Sequence, residues 1–170
     1  MALIKKIGDK TPQFGVGCWM AENATLIGDV VLGRDCTVWF NAVVRGDVHS
    51  IRVGDRTNIQ DGVIIHCTYQ QSPVLIGSDV SIAHNAIVHG CTIEDRVLVG
   101  MGAIIMDKAR VGEGAVIAAG AVVLEGTIVE KNSIYAGIPA RKVKETGPEM
   151  QATISRIASN YPKYASWYEK

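Results

Sequence analysis

The sequence predicts an all-β protein, a parallel β-helix of short strands followed by a C-terminal helix, and three observations predict it. Aliphatic residues recur at steps of mostly six residues from Ala21 to Ile138. Glycine is abundant, at 18 of 170 residues, while aromatics make up only 6%. The three-to-four spacing of an amphipathic helix begins only after Pro148. A period of six fits neither the helical 3.6 nor the 2.0 of a strand. It fits a triangular coil of about 18 residues, in which each flat side takes one short strand and one corner. A β-sandwich would instead show spacings of about 8–12 residues with alternating polarity.

Residues 1–20 read as an irregular or strand-like lead-in containing Pro12. Residues 21–140 read as the solenoid. Inward aliphatics followed by small residues stand at Ile27-Gly28, Leu32-Gly33, Val53-Gly54, Ile76-Gly77 and Ile82-Ala83, then at Val99-Gly100, Val111-Gly112 and Ile117-Ala118. Two insertions lengthen the repeat, at Asp47–Ile51 and Cys67–Pro73. The segment Ala136-Gly137-Ile138-Pro139-Ala140 breaks the pattern. Residues 141–170 read as a helical segment packing on the solenoid, with Met150, Ile154, Ile157 and Tyr161 on one face. Pro148 suits the first turn, and Pro162 should end or kink the helix.

Lys plus Arg and Asp plus Glu each number 17, so the net charge is 17 − 17 = 0. That leaves no global field to attract nucleic acid or an anionic membrane. The first ten residues lack the apolar run of a signal peptide, and the most apolar stretch, Ala115–Leu124, is too short to span a bilayer. Cys18, Cys36, Cys67 and Cys91 form no C-x-x-C pair and read as reduced thiols of a cytoplasmic protein.

Residues one full coil apart stack. His66 and His89 both follow an inward aliphatic residue, and 89 − 66 = 23 is one coil plus the Cys67–Pro73 excursion, so they should lie one above the other. His84 lies two residues after Ile82, on another part of the coil. If the three histidines bind one metal, His84 must come from a neighbouring subunit, with equivalent sites around a threefold axis. Three imidazoles with an open fourth position are a catalytic zinc pattern. The plainer reading is a polar ladder of structural histidines, and His49 is left at the surface or just outside the site.

The motifs Arg45-Gly46-Asp47, Asn58-Ile59-Gln60-Asp61, His66, Ala83-His84-Asn85, Val88-His89-Gly90-Cys91 and Leu98-Val99-Gly100-Met101-Gly102 resemble those of the γ-class carbonic anhydrases, hexapeptide-repeat proteins. The closing Ala136–Ala140 segment does so too. The resemblance implies a left-handed β-helix and a homotrimer, with zinc, or Fe(II) in the cell, held between subunits by His66, His84 and His89. It places Gln60 beside the bound solvent, Asn58 and Asp61 in the surrounding hydrogen-bond network, and Arg45 and Asp47 as an ion pair near the trimer interface. The implied reaction is hydration of CO2, a small-molecule substrate, by metal-activated water. One departure stands out. Cys67–Pro73 contains no acidic residue and Val48 follows Asp47, so the acidic proton shuttle of well-studied members is missing. The alternatives are a hexapeptide-repeat acyltransferase, a metal-dependent acyl-CoA thioesterase, and a non-catalytic metal-stabilised trimeric scaffold.

Overall fold

A computed structural model describes residues 1–168, which form a parallel β-helix of about seven turns and one C-terminal helix. The prism has three faces. The first stacks Val43–Val44, Ile64–His66, Ile87–His89, Ile104–Ile105 and Val122–Val123 in parallel register. The second stacks Asn58–Ile59, Ser81–Ile82, Leu98–Val99, Val116–Ile117 and Ile134–Tyr135. The third stacks Ile51–Val53, Val74–Ile76, Thr92–Ile93, Arg110–Val111 and Ile128–Val129.

The six-residue period produces the core directly. Leu26, Val44, Ile65, Val88, Ile105 and Val123 form one interior column, and Val38, Ile59, Ile82, Val99 and Ile117 form another, all of them fully buried. Corners need backbone that few residues adopt without strain. Gly62 sits at φ +69°, and a Cβ there would collide with the Asn85 side chain one coil above.

The Asp47–Ile51 insertion does not loop out. Val43–Val53 is one continuous strand paired with Thr25–Leu32, and the extra residues are absorbed by a register shift between Gly28 and Val30. Both strands round a corner unbroken, so the first and third faces share one twelve-stranded sheet.

Three expectations about the ends change. Residues 1–20 are not merely a lead-in. Leu3–Lys5, Gln13–Phe14 and Trp19–Met20 pair in parallel with the next coil and make a first turn of the solenoid. Residues 141–145 are not helical but form a strand, antiparallel to Ser133–Ala136. The helix runs Pro148–Ala165, with Pro162 inside it. A proline so near the C-terminal end deprives the helix of one backbone hydrogen bond in its last turns, and the helix continues past it. The helix buries Ile154, Ala158 and Ala165, packing against the strands Thr37–Val38 and Ser81–Ile82 of the second face.

Two surface features bear on the site. Val43, Ile64, Ile87, Ile104 and Val122 point outward in one register, forming an apolar ladder on the first face, with Ile64 38% and Ile87 37% exposed. Among the described residues no helix is long and apolar enough to cross a membrane, and the four cysteines are unpaired.

Candidate functional site

Four side chains line up along one edge of the prism, in the order Asp47, His66, His89, Asp107. The strands Ile64–His66 and Ile87–His89 pair in register, which stacks His66 directly on His89. The excursion after His66 turns back on itself through a Thr68–Ser72 bridge, so the extra residues leave the register intact. His66 Nδ1 faces His89 Nε2 at 3.2 Å. The outer nitrogens meet carboxylates, His66 Nε2 at 3.0 Å from Asp47 Oδ1 and His89 Nδ1 at 3.0 Å from Asp107 Oδ1. Asp47 is held on its other oxygen by Arg45 at 2.6 Å, and Thr68 Oγ1 donates to Asp107 at 3.0–3.1 Å.

The donor set has a chemical consequence. An ionised carboxylate only accepts, so the outer nitrogen of each ring carries its proton and donates it. Both inner nitrogens then point lone pairs at each other, and a cation or an added proton between them relieves the repulsion. Ligand nitrogens around a tetrahedral zinc, at about 2.0–2.1 Å from the ion, stand roughly 3.3 Å apart. The observed separation is 3.2 Å, so the pair fits such an ion. Carboxylates that fix the tautomer and aim of ligating histidines are a recurrent partner of metal sites.

Burial works against the charge on Asp47, but the hydrogen bonds from Arg45 and His66 outweigh it and hold its carboxyl below the usual range. Burial lowers the His66 pKa, helped by the positive charge of Arg45 and opposed by Asp47. A neutral ring is the form that binds a metal.

His84 stands apart. Its Nδ1 lies 2.9 Å from Asp61 Oδ2 on another edge, and the ring is 40% exposed. Among the described residues, no three metal-ligating side chains of one chain come together. Around His84 runs a buried amide network. Asn58 Nδ2 donates to Ser81 Oγ at 2.8 Å, leaving Asn58 Oδ1 to accept from Gln60 Nε2 at 2.9 Å. That fixes the Gln60 amide, and no protein donor among the described residues reaches its Oε1.

The anticipated residues therefore divide into two half-sites. Arg45, Asp47, His66 and His89 belong to one, and Asn58, Gln60, Asp61 and His84 to the other. His49 belongs to neither, its Nδ1 accepting from the backbone N–H of Ser50 at 2.8 Å. Asp107 and Thr68 were not anticipated. For Asp107 counting coils gives only a neighbourhood: Ile87 pairs with Ile104, a step of 104 − 87 = 17, so Asp107 lies one residue past the position over His89 and its side chain reaches back to the ring.

Beside the second half-site, a cavity of about 360 Å³ opens between the solenoid and the C-terminal helix, with Gln60 and His84 at its wall. Tyr161 also lines it, and its hydroxyl is pushed up to about 12 by burial and by the nearby charge of Asp61, so it remains a donor at neutral pH.

Comparison with known proteins places this geometry. The bacterial transferase hexapeptide (six repeats) family matches residues 90–125. A protein of Methanocaldococcus jannaschii named "Probable carbonic anhydrase" is 53% identical over 150 residues, covering 88% of this chain and 94% of that protein. The Arabidopsis thaliana protein named gamma carbonic anhydrase 3, mitochondrial, is 45% identical over 95% of this chain, which spans 65% of that longer protein. The crystal structure of a hexapeptide transferase family protein from Anaplasma phagocytophilum superposes with a TM-score of 0.93 at 35% identity, covering 98% of each chain.

Proposed function

The chain belongs to the γ-class carbonic anhydrase-like family of hexapeptide-repeat proteins, and on that premise we propose that it is a homotrimeric metalloenzyme interconverting CO2 and bicarbonate. Each of its three sites takes His66 and His89 from one subunit and His84 from the next.

The observation that carries this reading is the pair of lone pairs facing each other across 3.2 Å, with both rings locked from outside by carboxylates. It supports a two-ligand half-site waiting for a third. The separation of His84 on another edge supports a ligand arriving from a neighbour. The apolar ladder Val43–Ile64–Ile87–Ile104–Val122 supports assembly on the first face, since it adjoins the His66–His89 edge and nothing among the described residues covers Ile64 or Ile87 fully. Unpartnered apolar faces of this kind mark association surfaces.

A bound zinc or ferrous ion supplies Lewis acidity, lowering the pKa of coordinated water to about 7. The protein side of the chemistry follows from the residues present. Asp47 and Asp107 hold the two rings in the ligating tautomer, and Arg45 holds Asp47. Gln60 presents Oε1 as an acceptor that orients solvent in the cavity, and Asn58 holds Gln60 in that sense. An amide does not titrate, so Gln60 positions but does not carry the proton released on hydration. With no acidic residue in 67–73, that proton passes to solvent or buffer.

Stopped-flow CO2 hydration tests the reading, with zinc-loaded and anaerobic ferrous protein compared side by side. The expected result is acceleration that His84→Ala abolishes and that rises with imidazole buffer concentration. No acceleration in either form, with metal content verified, overturns it. A second reading, acyl transfer or acyl-thioester hydrolysis, is favoured by one observation, a cavity far larger than CO2 requires.

A further inference from the structure

A three-atom substrate needs little more room than a water molecule, whose share of the liquid is about 30 Å³. The cavity beside His84 has about 360 Å³ and falls in the range of pockets that hold organic ligands. Its walls are chemically ordered. Leu98, Met101 and Ile157 make an apolar floor between the solenoid and the helix. At the rim stands Arg156, which has no acidic partner among the described residues. It shares the rim with Asn160, one helical turn on. Gln60 and His84 are polar groups contributed by the solenoid side, where Asp61 pairs with His84 and makes the surroundings unfavourable for an anion. Negative charge is therefore favoured at Arg156 and disfavoured at His84.

We propose that this cavity binds a small organic acid with an aliphatic body of about four to eight carbons, its carboxylate on Arg156, its chain along Leu98 and Ile157, and its far end toward Gln60 and His84. A guanidinium pairs a carboxylate through parallel N–H donors, and an unbranched chain covers the apolar floor. The inference rests on the reading of Gln60 and His84 as site residues only for what the far end meets.

Isothermal titration of the zinc-loaded protein with hexanoate, acetate and 1-hexanol tests it. Hexanoate is expected to bind about tenfold or more tighter than either acetate, which lacks the chain, or 1-hexanol, which lacks the charge. Arg156→Gln should weaken hexanoate about tenfold and leave 1-hexanol and CO2 hydration unchanged. Ile157→Ser should weaken hexanoate and 1-hexanol alike. His66→Ala, which removes a proposed metal ligand, should retain hexanoate binding. Equal affinity for acetate and hexanoate overturns the proposal. So does hexanoate binding that survives Arg156→Gln but is lost in His66→Ala, because the carboxylate then sits on the metal. Hexanoate binding without CO2 hydration sinks the anhydrase reading and leaves this one standing; hydration without hexanoate binding does the reverse.

Discussion

Co-expression of His66→Ala and His84→Ala chains carrying different affinity tags, followed by selection on both tags, isolates trimers that contain both chain types. Each proposed site takes its histidine pair from one chain and its third ligand from the next in a fixed direction around the axis. An intact site therefore needs a His84→Ala chain, which keeps the pair, followed by a His66→Ala chain, which keeps His84. Both possible compositions, two of one and one of the other, contain a single such junction. Doubly tagged trimers should then show about one third of wild-type activity and hold about one metal ion tightly instead of three. Neither parent homotrimer should show activity. If all three ligands came from one chain, every chain in the mixture would lack one of them and no site would be restored. Stopped-flow rates and metal content by plasma mass spectrometry are the readouts, with light scattering to confirm the trimer. Trimeric, doubly tagged protein with neither activity nor retained metal would refute the division into half-sites, whose structural basis is the separation of His84 from the His66–His89 pair.

Asp107→Asn should lower zinc affinity by about 10–100-fold in a chelator competition while leaving thermal stability nearly unchanged, because it removes the carboxylate that aims His89. Gly28→Ala should destabilise the fold by roughly 3 kcal/mol or more in chemical denaturation, since Gly28 has φ +74° and a Cβ there would overlap the Gly46 carbonyl. The Asp55 carboxyl is held below the usual carboxylate range by the Arg34 backbone N–H and guanidinium. A depressed carboxylate stabilises fully above the unfolded pKa, and the contribution is lost as pH falls through the folded value. A pH profile of melting temperature should therefore drop on the acid side below about pH 4, less steeply in Asp55→Asn.

The body of the solenoid was legible because each inward residue is aliphatic and the register repeats. Ile59, Ile82, Val99 and Ile117 are both a sequence series and a physical column. The first coil was not legible. Its Leu3 pairs with Thr25, a step of 22 lengthened by a turn that pairs Ile7 with Lys10, so no six-residue phase shows before Ala21. Nor was the strand Arg141–Glu145, which is exposed along its length and carries no inward aliphatic series. In the site, the stacking of His66 on His89 and the separation of His84 both followed from counting residues per coil. The division of Gln60 from His66 did not: each follows an inward aliphatic residue, Ile59 and Ile65, and that alone says nothing about which edge of the triangle a side chain serves. Asp107 was overlooked because no motif flags a lone aspartate, and the 17-residue step of this coil puts it one position past the residue over His89, from which its side chain reaches back to the ring.

The stacking of His66 on His89 makes the fold a ruler. Adjacent strands in a sheet are spaced by about 4.8 Å, so groups along an edge occupy graduations rather than a continuum. The two imidazole rings, 5.2 Å apart between centroids, sit on neighbouring marks. A whole coil gained or lost beyond the Arg110–Val111 row would change the length of the prism and leave this interval untouched. A coil inserted between the two histidines would put them two marks apart, about 10 Å, out of reach of one ion. The length of the prism is free to change; the count of coils between His66 and His89 is what one shared ion would hold fixed.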